Sequence, residues 1–301
     1  MRVGIIGGGS IGLLFAAYFQ KNGHDVTVYV KREEQYTRLL NSGLVLQTLT
    51  TTFSSTPEVK IFQSAKKEFH DLLIVAVKSY DLEHVLPVVK SCFTDSRYLL
   101  LLQNGMKHTR WLSDLCMFSV YLGIVEHGAL RDSDTKVLHT GIGQTKIAPY
   151  LIEGTGLDWG GLTFDSFPFQ QKADWYKMLS RKLLINAVIN PLTALYKVRN
   201  GELLERNTFI QKMEVLFKEI CKVLDVEDKE RSWKELVTVC KNTSNNKSSM
   251  LRDIERGNKT EIEAITGYVL IMAEQQNIHL PYNQFVFETI KGLEERRDPD
   301  G

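Results

Sequence analysis

Short apolar runs alternate with segments of helical period through the first 120 residues. The pattern predicts strands at 2–6, 25–30, 59–62, 71–77 and 98–102, and helices at 10–21, 33–42 and 82–92. Such alternation is typical of βαβ units, and an unbroken apolar run such as 72–77 indicates a strand covered on both faces. We therefore expect an α/β fold whose amino-terminal part is a doubly wound parallel sheet.

After residue 120 the pattern changes. Short runs at 121–125, 137–140 and 145–148, separated by turn residues, predict added antiparallel strands. Beyond the loop around 167–169 nearly every segment has a helical period, and one apolar stripe comprises Phe209, Met213, Leu216, Phe217, Ile220 and Leu224. Because 301 residues exceed the usual size of one domain, we expect two, at 1–168 and 169–301, the second of them all-α.

Composition narrows the class of protein. Hydrophobic residues make up 43% of the chain, charged residues 24%, and the formal net charge is +1. These values are typical of a folded globular protein, and no nucleic acid partner is expected. No run reaches the length of about 18 apolar residues that a membrane span needs, and the start MRVGIIGGG leaves no room for a secretion signal. We expect a cytoplasmic protein without a membrane partner.

The cysteines are few and widely spaced, with no CxxC pair: Cys92, Cys116, Cys221 and Cys240. This spacing favours neither a disulfide framework nor a metal site, and none is expected. Reduced thiols that act as small buried hydrophobic side chains are the simpler interpretation.

A glycine-rich turn follows the first predicted strand and opens the first predicted helix, comprising Gly7, Gly8, Gly9, Ser10, Ile11 and Gly12. In a G-x-G-x-x-G turn, the first glycine permits a tight bend, the second lets the backbone approach a pyrophosphate, and the third lets the helix pack on the strand. Unpaired N–H groups at the helix N-terminus attract the anion. The turn predicts a Rossmann-type dinucleotide site; glycines that serve only a strand-to-helix turn are the alternative.

Two cations follow the second predicted strand, at the point where an acidic residue would accept from the ribose 2′-hydroxyl of NAD. The chain has Lys31 and Arg32 there and no acid. Because two adjacent cations can pair with a phosphate dianion, the cofactor predicted is NADP(H). A solvated basic pair in a loop is the alternative.

Polar residues follow two further predicted strands. Lys78 comes directly after the run 71–77, and Gln103, Asn104 and Gly105 come after the run 98–102. Open α/β sheets bind ligands at the carboxyl ends of neighbouring strands, which makes Lys78 and Asn104 candidate site residues. Ordinary solvated loop residues are the alternative.

Polar residues recur at helical spacing in the segment RKLLINAVINPLTAL. Lys182, Asn186 and Asn190 have i, i+4 spacing and share one face of an otherwise apolar helix. Buried polar groups need partners, and a polar substrate is one; a hydrogen-bond network between helices with an exposed lysine is the alternative. Pro191 disfavours helical dihedrals at the preceding residue, so we expect the helix to end or kink there.

A further group of polar residues has no informative spacing. Asn246, Ser248 and Ser249 precede Met250, and Glu261 follows in the segment KTEIE. The Asn and Ser residues are equally typical of a loop that feeds an N-cap, and Glu261 is equally typical of an ordinary solvated helix residue.

Taken together, these segments resemble the ketopantoate reductases (2-dehydropantoate 2-reductases), NADPH-dependent enzymes of pantothenate and coenzyme A synthesis. The resemblance spans nearly the whole chain and is carried by GGGSIG, LLQNGM at 101–106, EHGA at 126–129, HTG at 139–141, RKLLINAVINPLTAL, and SSMLRDIERGNKTEIEAITG at 248–267. It implies a Rossmann domain that binds NADP(H), followed by a helical substrate domain, with the active site in the cleft between them.

The resemblance also implies roles for individual residues. Lys182 is expected to donate a proton to the ketone oxygen as hydride reaches carbon 2, and Glu261 to bind the terminal hydroxyl of a small 2-oxo acid substrate. Further substrate-binding positions are expected at Asn104, Asn186, Asn190, Asn246 and Ser249. Cofactor contacts are expected from the glycine turn and from Lys31, Arg32, Lys78, Asn104 and Glu261. Lys31 stands where the family often carries an arginine for the 2′-phosphate.

Two other interpretations keep the cofactor site. A paralogous NADPH-dependent reductase would act on another branched 2-oxo acid, for which Glu261 would have no hydroxyl to bind. A non-catalytic dinucleotide-binding regulator would have no need of Lys182, Asn186 and Glu261 together. The oligomeric state stays open between a monomer and a homodimer, since apolar helical faces suit a dimer interface and a domain core equally.

Overall fold

The computed structural model describes residues 1–295. The chain forms two compact units, the first of residues 1–103 and 109–178, the second of residues 104–108 and the chain from Leu179 onward. The domain boundary expected from the sequence at residue 168 stays a prediction. The short segment 104–108 belongs to the helical unit although it directly follows a strand of the sheet.

The strands of the first unit form two sheets. They are β1 Arg2–Ile6, β2 Asp25–Val30, β3 Leu44–Gln47, β4 Thr52–Ser55, β5 Glu58–Ile61, β6 Leu72–Val75, β7 Tyr98–Leu101, β8 Ser119–Val125, β9 Gly128–Arg131, β10 Lys136–Gly141, β11 Thr145–Leu151 and β12 Phe169–Gln171. Its helices are α1 Ser10–Lys21, α2 Glu33–Ser42 and α3 Leu82–Cys92. These helices, β1 and β2 begin and end at the residues that the hydrophobic pattern predicted.

The larger sheet, within the described residues, has eight strands in the order β12-β11-β8-β7-β6-β1-β2-β5. The strands from β8 to β5 run parallel, β11 is antiparallel to β8, and β12 is parallel to β11. The predicted parallel sheet with antiparallel additions is confirmed. Its winding reverses between β1 and β6, which is the point where open α/β sheets bind ligands.

A second sheet covers helix α1. Within the described residues it has four strands in the order β4-β3-β10-β9. Helix α1 packs against this sheet and also against β1 and β2, so every residue from Gly12 to Phe19 is buried. The hydrophobic pattern missed β3, β4, β9 and β12, because strands of three or four residues carry little periodic signal.

The described residues after Asp174 form helices joined by loops, as predicted. The helices are α4 Trp175–Tyr196, α5 Asn207–Ile220, α6 Lys229–Asn242, α7 Ser249–Glu255, α8 Thr266–Gln275 and α9 Pro281–Glu295. Helix α5 buries the predicted apolar stripe at Met213, Leu216, Phe217 and Ile220. None of the helices within residues 1–295 has the length and apolar character that a membrane crossing requires.

An end or a kink of the helix was expected at Asn190. Helix α4 continues through Pro191 to Tyr196, so the end is wrong, whereas the kink stays a prediction. A proline inside a helix costs about 3 kcal/mol, because its ring removes one N–H donor and crowds the preceding turn. Burial offsets this cost, since positions 187–194 are all buried. The Thr193 hydroxyl also lies 2.9 Å from the carbonyl oxygens of both Ile189 and Asn190. Tertiary packing thus keeps Asn190 in the helix.

Candidate functional site

The glycine turn joins β1 to α1, and its geometry requires glycine at two positions. Gly7 has a φ of +119°, which L side chains rarely adopt, and a Cβ there would lie 3.0 Å from the Ala76 backbone. A Cβ on Gly12 would lie 1.8 Å from the Gly7 carbonyl oxygen. At Gly9, by contrast, no heavy atom of the described residues other than Gly9 and its two chain neighbours lies within 4 Å of the Cβ position. The turn therefore has an open side at Gly9.

Helix α1 begins at Ser10, next to this open side. Gly9 is its N-cap, no side chain of the described residues caps it, and its first turn has no acidic residue. The Leu13 amide bonds back to the Gly9 carbonyl oxygen at 3.0 Å, and the N–H groups of Ser10, Ile11 and Gly12 precede this first intrahelical bond. Together with the helix dipole, these donors suit an anion. The donor set and the open space fit the pyrophosphate of a dinucleotide.

A buried glutamine of α2 connects the glycine turn to a distant loop. Gln35 Nε2 donates to the Gly8 carbonyl oxygen at 2.8 Å and to the Asp134 carbonyl oxygen at 3.2 Å. Gln35 is only 3% exposed. The sequence does not single out Gln35, because a buried polar residue in the first turn of an amphipathic helix has the same local pattern as a solvated one.

The Asp134 carboxylate, in the turn between β9 and β10, contacts three arginines near the end of β2. Arg32 follows β2 and forms an ion pair with this carboxylate. Arg38 Nη1 lies 3.2 Å and Arg131 Nη1 lies 3.8 Å from its oxygens. The sequence has no acid directly after β2, but the fold brings Asp134 to this strand end, although it lies 102 positions from Arg32 in the chain. Its carboxylate is paired with the three arginines.

The other polar residues at the strand ends have separate surroundings. Lys31 is 76% exposed, with its ammonium group 3.8 Å from the Asp81 carboxylate. Lys78 is half-buried and precedes the 3₁₀ segment Ser79–Asp81. Gln103 Nε2 donates to two carbonyl oxygens at the end of β6, at 2.9 and 3.1 Å. Gln103 therefore has a structural role in joining β7 to β6.

In the second unit, Asn104 and Glu261 form a direct pair. Asn104 Nδ2 donates to Glu261 Oε2 at 2.9 Å, and Glu261 is buried. Backbone contacts support the pair, since the Met106 amide donates to the Ala264 carbonyl oxygen at 3.1 Å. Gly105 has a φ of +75°, and a Cβ there would lie 1.9 Å from the same oxygen. The fold thus brings together two of the predicted site residues.

A second set of contacts fixes the same segment. Glu294 of α9 accepts hydrogen bonds of 2.7 Å from both the amide and the hydroxyl of Thr260. Glu263 lies 3.0 Å from two ammonium groups, those of Lys107 and Lys291. These two donors lower the pKa of Glu263 to about 2. The sequence does not predict these contacts, because each charged residue taken alone is typical of a solvated helix.

Helix α4 carries the polar face that its spacing predicted. Lys182 and Asn186 are half-buried, and Asn190 is buried. Thr193 lies one turn further along, and its Oγ1 lies 2.7 Å from Ser248 Oγ. The i+3 spacing between Asn190 and Thr193 is a sequence signal that could have placed Thr193 on the same polar face. The α4 face from Leu179 onward and the segment around Glu261 belong to the same unit.

The start of helix α7 separates its two serines. Ser248 is buried and caps the helix by accepting from the Leu251 amide at 3.1 Å. Ser249 and Asn246 are exposed. The structure therefore places Ser248, not Ser249, against α4, and the substrate-binding roles of Ser249 and Asn246 stay predictions.

The EHGA and HTG segments contribute to the core of the first unit. Tyr18 Oη lies 2.7 Å from His139 Nδ1, and His139 Nε2 lies 3.2 Å from His127 Nδ1. Phe167 stacks on both Tyr18 and His127, with ring centroids 4.4 Å apart in each case. Burial lowers the pKa of His127 to about 4, so its imidazole is neutral near pH 7. These histidines hold α1 against β10.

Two family models match the chain. Residues 3–151 match the model described as ketopantoate reductase PanE/ApbA, and residues 174–294 match the model of the ketopantoate reductase PanE/ApbA C terminal part. The 2-dehydropantoate 2-reductase of Bacillus subtilis (strain 168) is 40% identical over 299 residues, which cover 98% of this chain and 98% of that protein. The 2-dehydropantoate 2-reductase of Listeria monocytogenes is 36% identical over 306 residues, which cover 99% of this chain and 98% of that protein.

Solved structures agree with these matches. The crystal structure of a probable 2-dehydropantoate 2-reductase from Bacillus subtilis has a TM-score of 0.86 at 38% identity, covering 97% of this chain and 100% of its own. D-mandelate dehydrogenase with NADH and anilino(oxo)acetate has a TM-score of 0.86 at 20% identity, covering 98% and 99%, and this likeness shows the fold alone. The family models cover both the sheet and the helical part, and the chain therefore belongs to the ketopantoate reductase (PanE/ApbA) family.

Proposed function

We propose that this protein reduces 2-dehydropantoate (ketopantoate) to pantoate with NADPH, a step of pantothenate and coenzyme A synthesis. The observation that carries the proposal is the buried Glu261 carboxylate held by the Asn104 amide, in a chain whose Bacillus and Listeria relatives are named for this reaction. A buried carboxylate is costly to desolvate unless it is paired. The terminal hydroxyl of ketopantoate is a donor that suits it.

The glycine turn is the proposed site of the cofactor pyrophosphate, because its N–H donors and its open side fit an anion. Arg32 and Lys31 are the proposed contacts of a 2′-phosphate. Asn104 is the proposed contact of the nicotinamide side, and Lys78 is a further proposed cofactor contact. When bound, the reduced nicotinamide supplies the hydride for carbon 2 of the substrate. The chain itself supplies binding, orientation and a proton.

Lys182 is the proposed proton donor. Reduction builds negative charge on the ketone oxygen, and an ammonium group stabilises this charge before its Nζ proton passes to the oxygen. The resulting lysine amine then regains a proton from water. Lys182 is half-buried among apolar residues of α4, and a lower local dielectric strengthens its interaction with the developing charge. Asn186, Asn190, Asn246 and Ser249 are the proposed partners of the remaining polar groups of the substrate.

Three further predictions accompany the proposal. They are a cytoplasmic location, an NADP(H)-binding domain at 1–168 followed by a catalytic domain at 169–301, and an assembly that is either a monomer or a homodimer. The net charge of +1 provides no general attraction for nucleic acid. Sedimentation velocity measures the oligomeric state directly.

The test is NADPH oxidation with ketopantoate, run beside NADH and beside 2-oxoisovalerate. We expect turnover of ketopantoate with NADPH. Lys182→Ala should lower kcat by about 10²- to 10⁴-fold, the usual contribution of a general acid, without changing the affinity for NADPH. Lys177→Ala is the matched control, because Lys177 is an exposed lysine of the same helix.

Two outcomes contradict the proposal. Turnover of 2-oxoisovalerate without turnover of ketopantoate would indicate a paralogous reductase of another branched 2-oxo acid. Tight NADPH binding without any turnover would indicate a dinucleotide-binding regulator.

A further inference from the structure

Asp134 is the common partner of a group of arginines in the first unit. We call Arg32, Arg38 and Arg131 the arginine cluster; they reach the Asp134 carboxylate from the end of β2, from α2 and from β9. The Asp134 side chain is 8% exposed, whereas those of the arginines are between 41% and 65% exposed. The carboxylate is therefore buried beneath guanidinium groups that still reach solvent.

The place of this cluster matters for the choice of cofactor. Arg32 is the second residue after β2, and at this strand end open α/β sheets recognise the ribose 2′-position. A carboxylate free to accept there would favour the 2′-hydroxyl of NAD. Three guanidinium groups around one carboxylate leave a local formal charge of +3 − 1 = +2. A phosphate monoester carries about −1.5 to −2 charges near pH 7, so the cluster matches it.

Asp134 is itself held in register with the glycine turn. Gln35 Nε2 lies 3.2 Å from the Asp134 carbonyl oxygen and 2.8 Å from that of Gly8. Arg131 Nη1 lies 3.4 Å from the same Gly8 oxygen. Since arginine has much rotamer freedom to lose, a guanidinium ordered before the ligand arrives contributes more affinity than a mobile one.

We propose that Asp134 determines the preference for a 2′-phosphorylated cofactor, by ordering the arginine cluster at the end of β2 and without touching the phosphate. Asp134 is thus a positioning residue that acts through Arg32. The inference rests on the proposed function for the class of cofactor, but recognition of a 2′-phosphate can be measured without turnover.

The test is isothermal titration calorimetry with two fragments, adenosine 2′,5′-bisphosphate and adenosine 5′-monophosphate. The ratio of their affinities reports the contribution of the 2′-phosphate. We expect Asp134→Asn to lower this ratio roughly tenfold, the effect of one weakened charge-assisted contact, and to leave the affinity for the monophosphate unchanged. Asp134→Glu keeps the charge and should recover part of the loss.

Asp132→Asn is the matched control. It removes a carboxylate of the same turn that pairs with Lys136 at 3.3 Å, and the ratio should not change. Arg32→Ala should lower the ratio by itself. Adding Asp134→Asn to Arg32→Ala should then cost less than it does in the wild type, because the two residues act as one unit.

An unchanged ratio in Asp134→Asn overturns the proposal. A raised ratio also overturns it, and would make Asp134 a repulsive element against the phosphate. If Asp134→Asn does not fold, Arg38→Gln and Arg131→Gln decide the matter, because both side chains are well exposed. The proposal requires each of them to lower the ratio.

The outcome is separable from that of the proposed function. Preferential binding of the bisphosphate without turnover of ketopantoate contradicts the proposed function and leaves the inference intact. Turnover of ketopantoate with no effect of Asp134→Asn on the ratio contradicts the inference alone.

Discussion

The Asn104 side chain donates a 2.9 Å hydrogen bond to the Glu261 carboxylate, although the two residues lie 157 positions apart in the chain. Hydrogen bonds to an ionised group are about twice as strong as those between neutral groups, so the amide both stabilises and orients the carboxylate. Glu261 is 6% exposed, and its orientation is set by protein groups rather than by bulk water. Substitution of either residue should therefore first alter the affinity for substrate.

Glu261→Gln should weaken the binding of ketopantoate. A hydrogen bond to a charged group contributes roughly 1.5–3 kcal/mol, so KM should rise about 10- to 100-fold with little change in kcat. The substrate 2-oxoisovalerate serves as the internal control, because it lacks the terminal hydroxyl and its KM should stay the same. Equal losses for both substrates in steady-state kinetics would contradict this role of Glu261.

Glu294→Ala should destabilise the protein and loosen the segment around Thr260. The variant leaves the buried Thr260 amide and hydroxyl without their acceptor, which costs roughly 1–3 kcal/mol. Glu294→Gln keeps one acceptor oxygen and should lose less. Urea denaturation measures the free energy of unfolding, and Glu295→Ala, at an exposed position of the same helix, is the control. Equal stability of the two alanine variants would show that the hydrogen bonds from Thr260 to Glu294 do not stabilise the protein.

Glu263 should make stability depend on acid pH. Hydrogen bonds from Lys107 and Lys291 lower its pKa from 4.5 to about 2. Because the folded-state pKa lies below the unfolded one, the stabilisation is present above pH 4.5 and is lost as the pH falls toward 2. Glu263→Gln should lower the free energy of unfolding by about 1 kcal/mol at neutral pH, a value discounted for solvent screening of a partly exposed side chain.

This difference between wild type and Glu263→Gln should disappear toward about pH 2, as the wild-type carboxylate becomes protonated. Urea denaturation of both proteins at a series of pH values measures it. Glu230→Gln is the control, since Glu230 pairs with Lys234 on an exposed helix face. A difference that stays constant with pH would show that the two ion pairs of Glu263 are not its source.

Gly9→Ala and Gly12→Ala should have different defects. A Cβ on Gly12 collides with the Gly7 carbonyl oxygen, so Gly12→Ala should lose roughly 3 kcal/mol or more of stability in thermal or urea denaturation. A Cβ on Gly9 meets no heavy atom of the described residues other than Gly9 and its two chain neighbours within 4 Å, so Gly9→Ala should melt like the wild type. Its methyl group occupies the open side of the turn, and NADPH affinity should fall roughly tenfold or more. Unchanged affinity in Gly9→Ala would exclude the turn as the pyrophosphate site.

The elements of the first unit were predictable where their signals are local. The apolar period and the glycine turn suffice for β1, α1, β2 and α2, because each repeats within a few residues. The strands β3, β4 and β12 are too short for such a signal. Pairing in the sheets stabilises them, β3 with the distant β10, β4 with β3, and β12 with β11. The end expected for α4 at Pro191 failed for a related reason, since burial on both sides of the proline outweighs its local cost.

Local pattern was thus enough for β1, β2 and helices α1 to α3, for the glycine turn, and for the shared face of Lys182, Asn186 and Asn190, because each of these signals lies within neighbouring residues. The partners of the candidate site residues were decided only by the tertiary structure. Asp134 reaches Arg32 across 102 positions, and Glu261 reaches Asn104 across 157. No periodicity links residues so far apart in the chain. A hydrogen bond or ion pair forms between them only because folding brings them into contact.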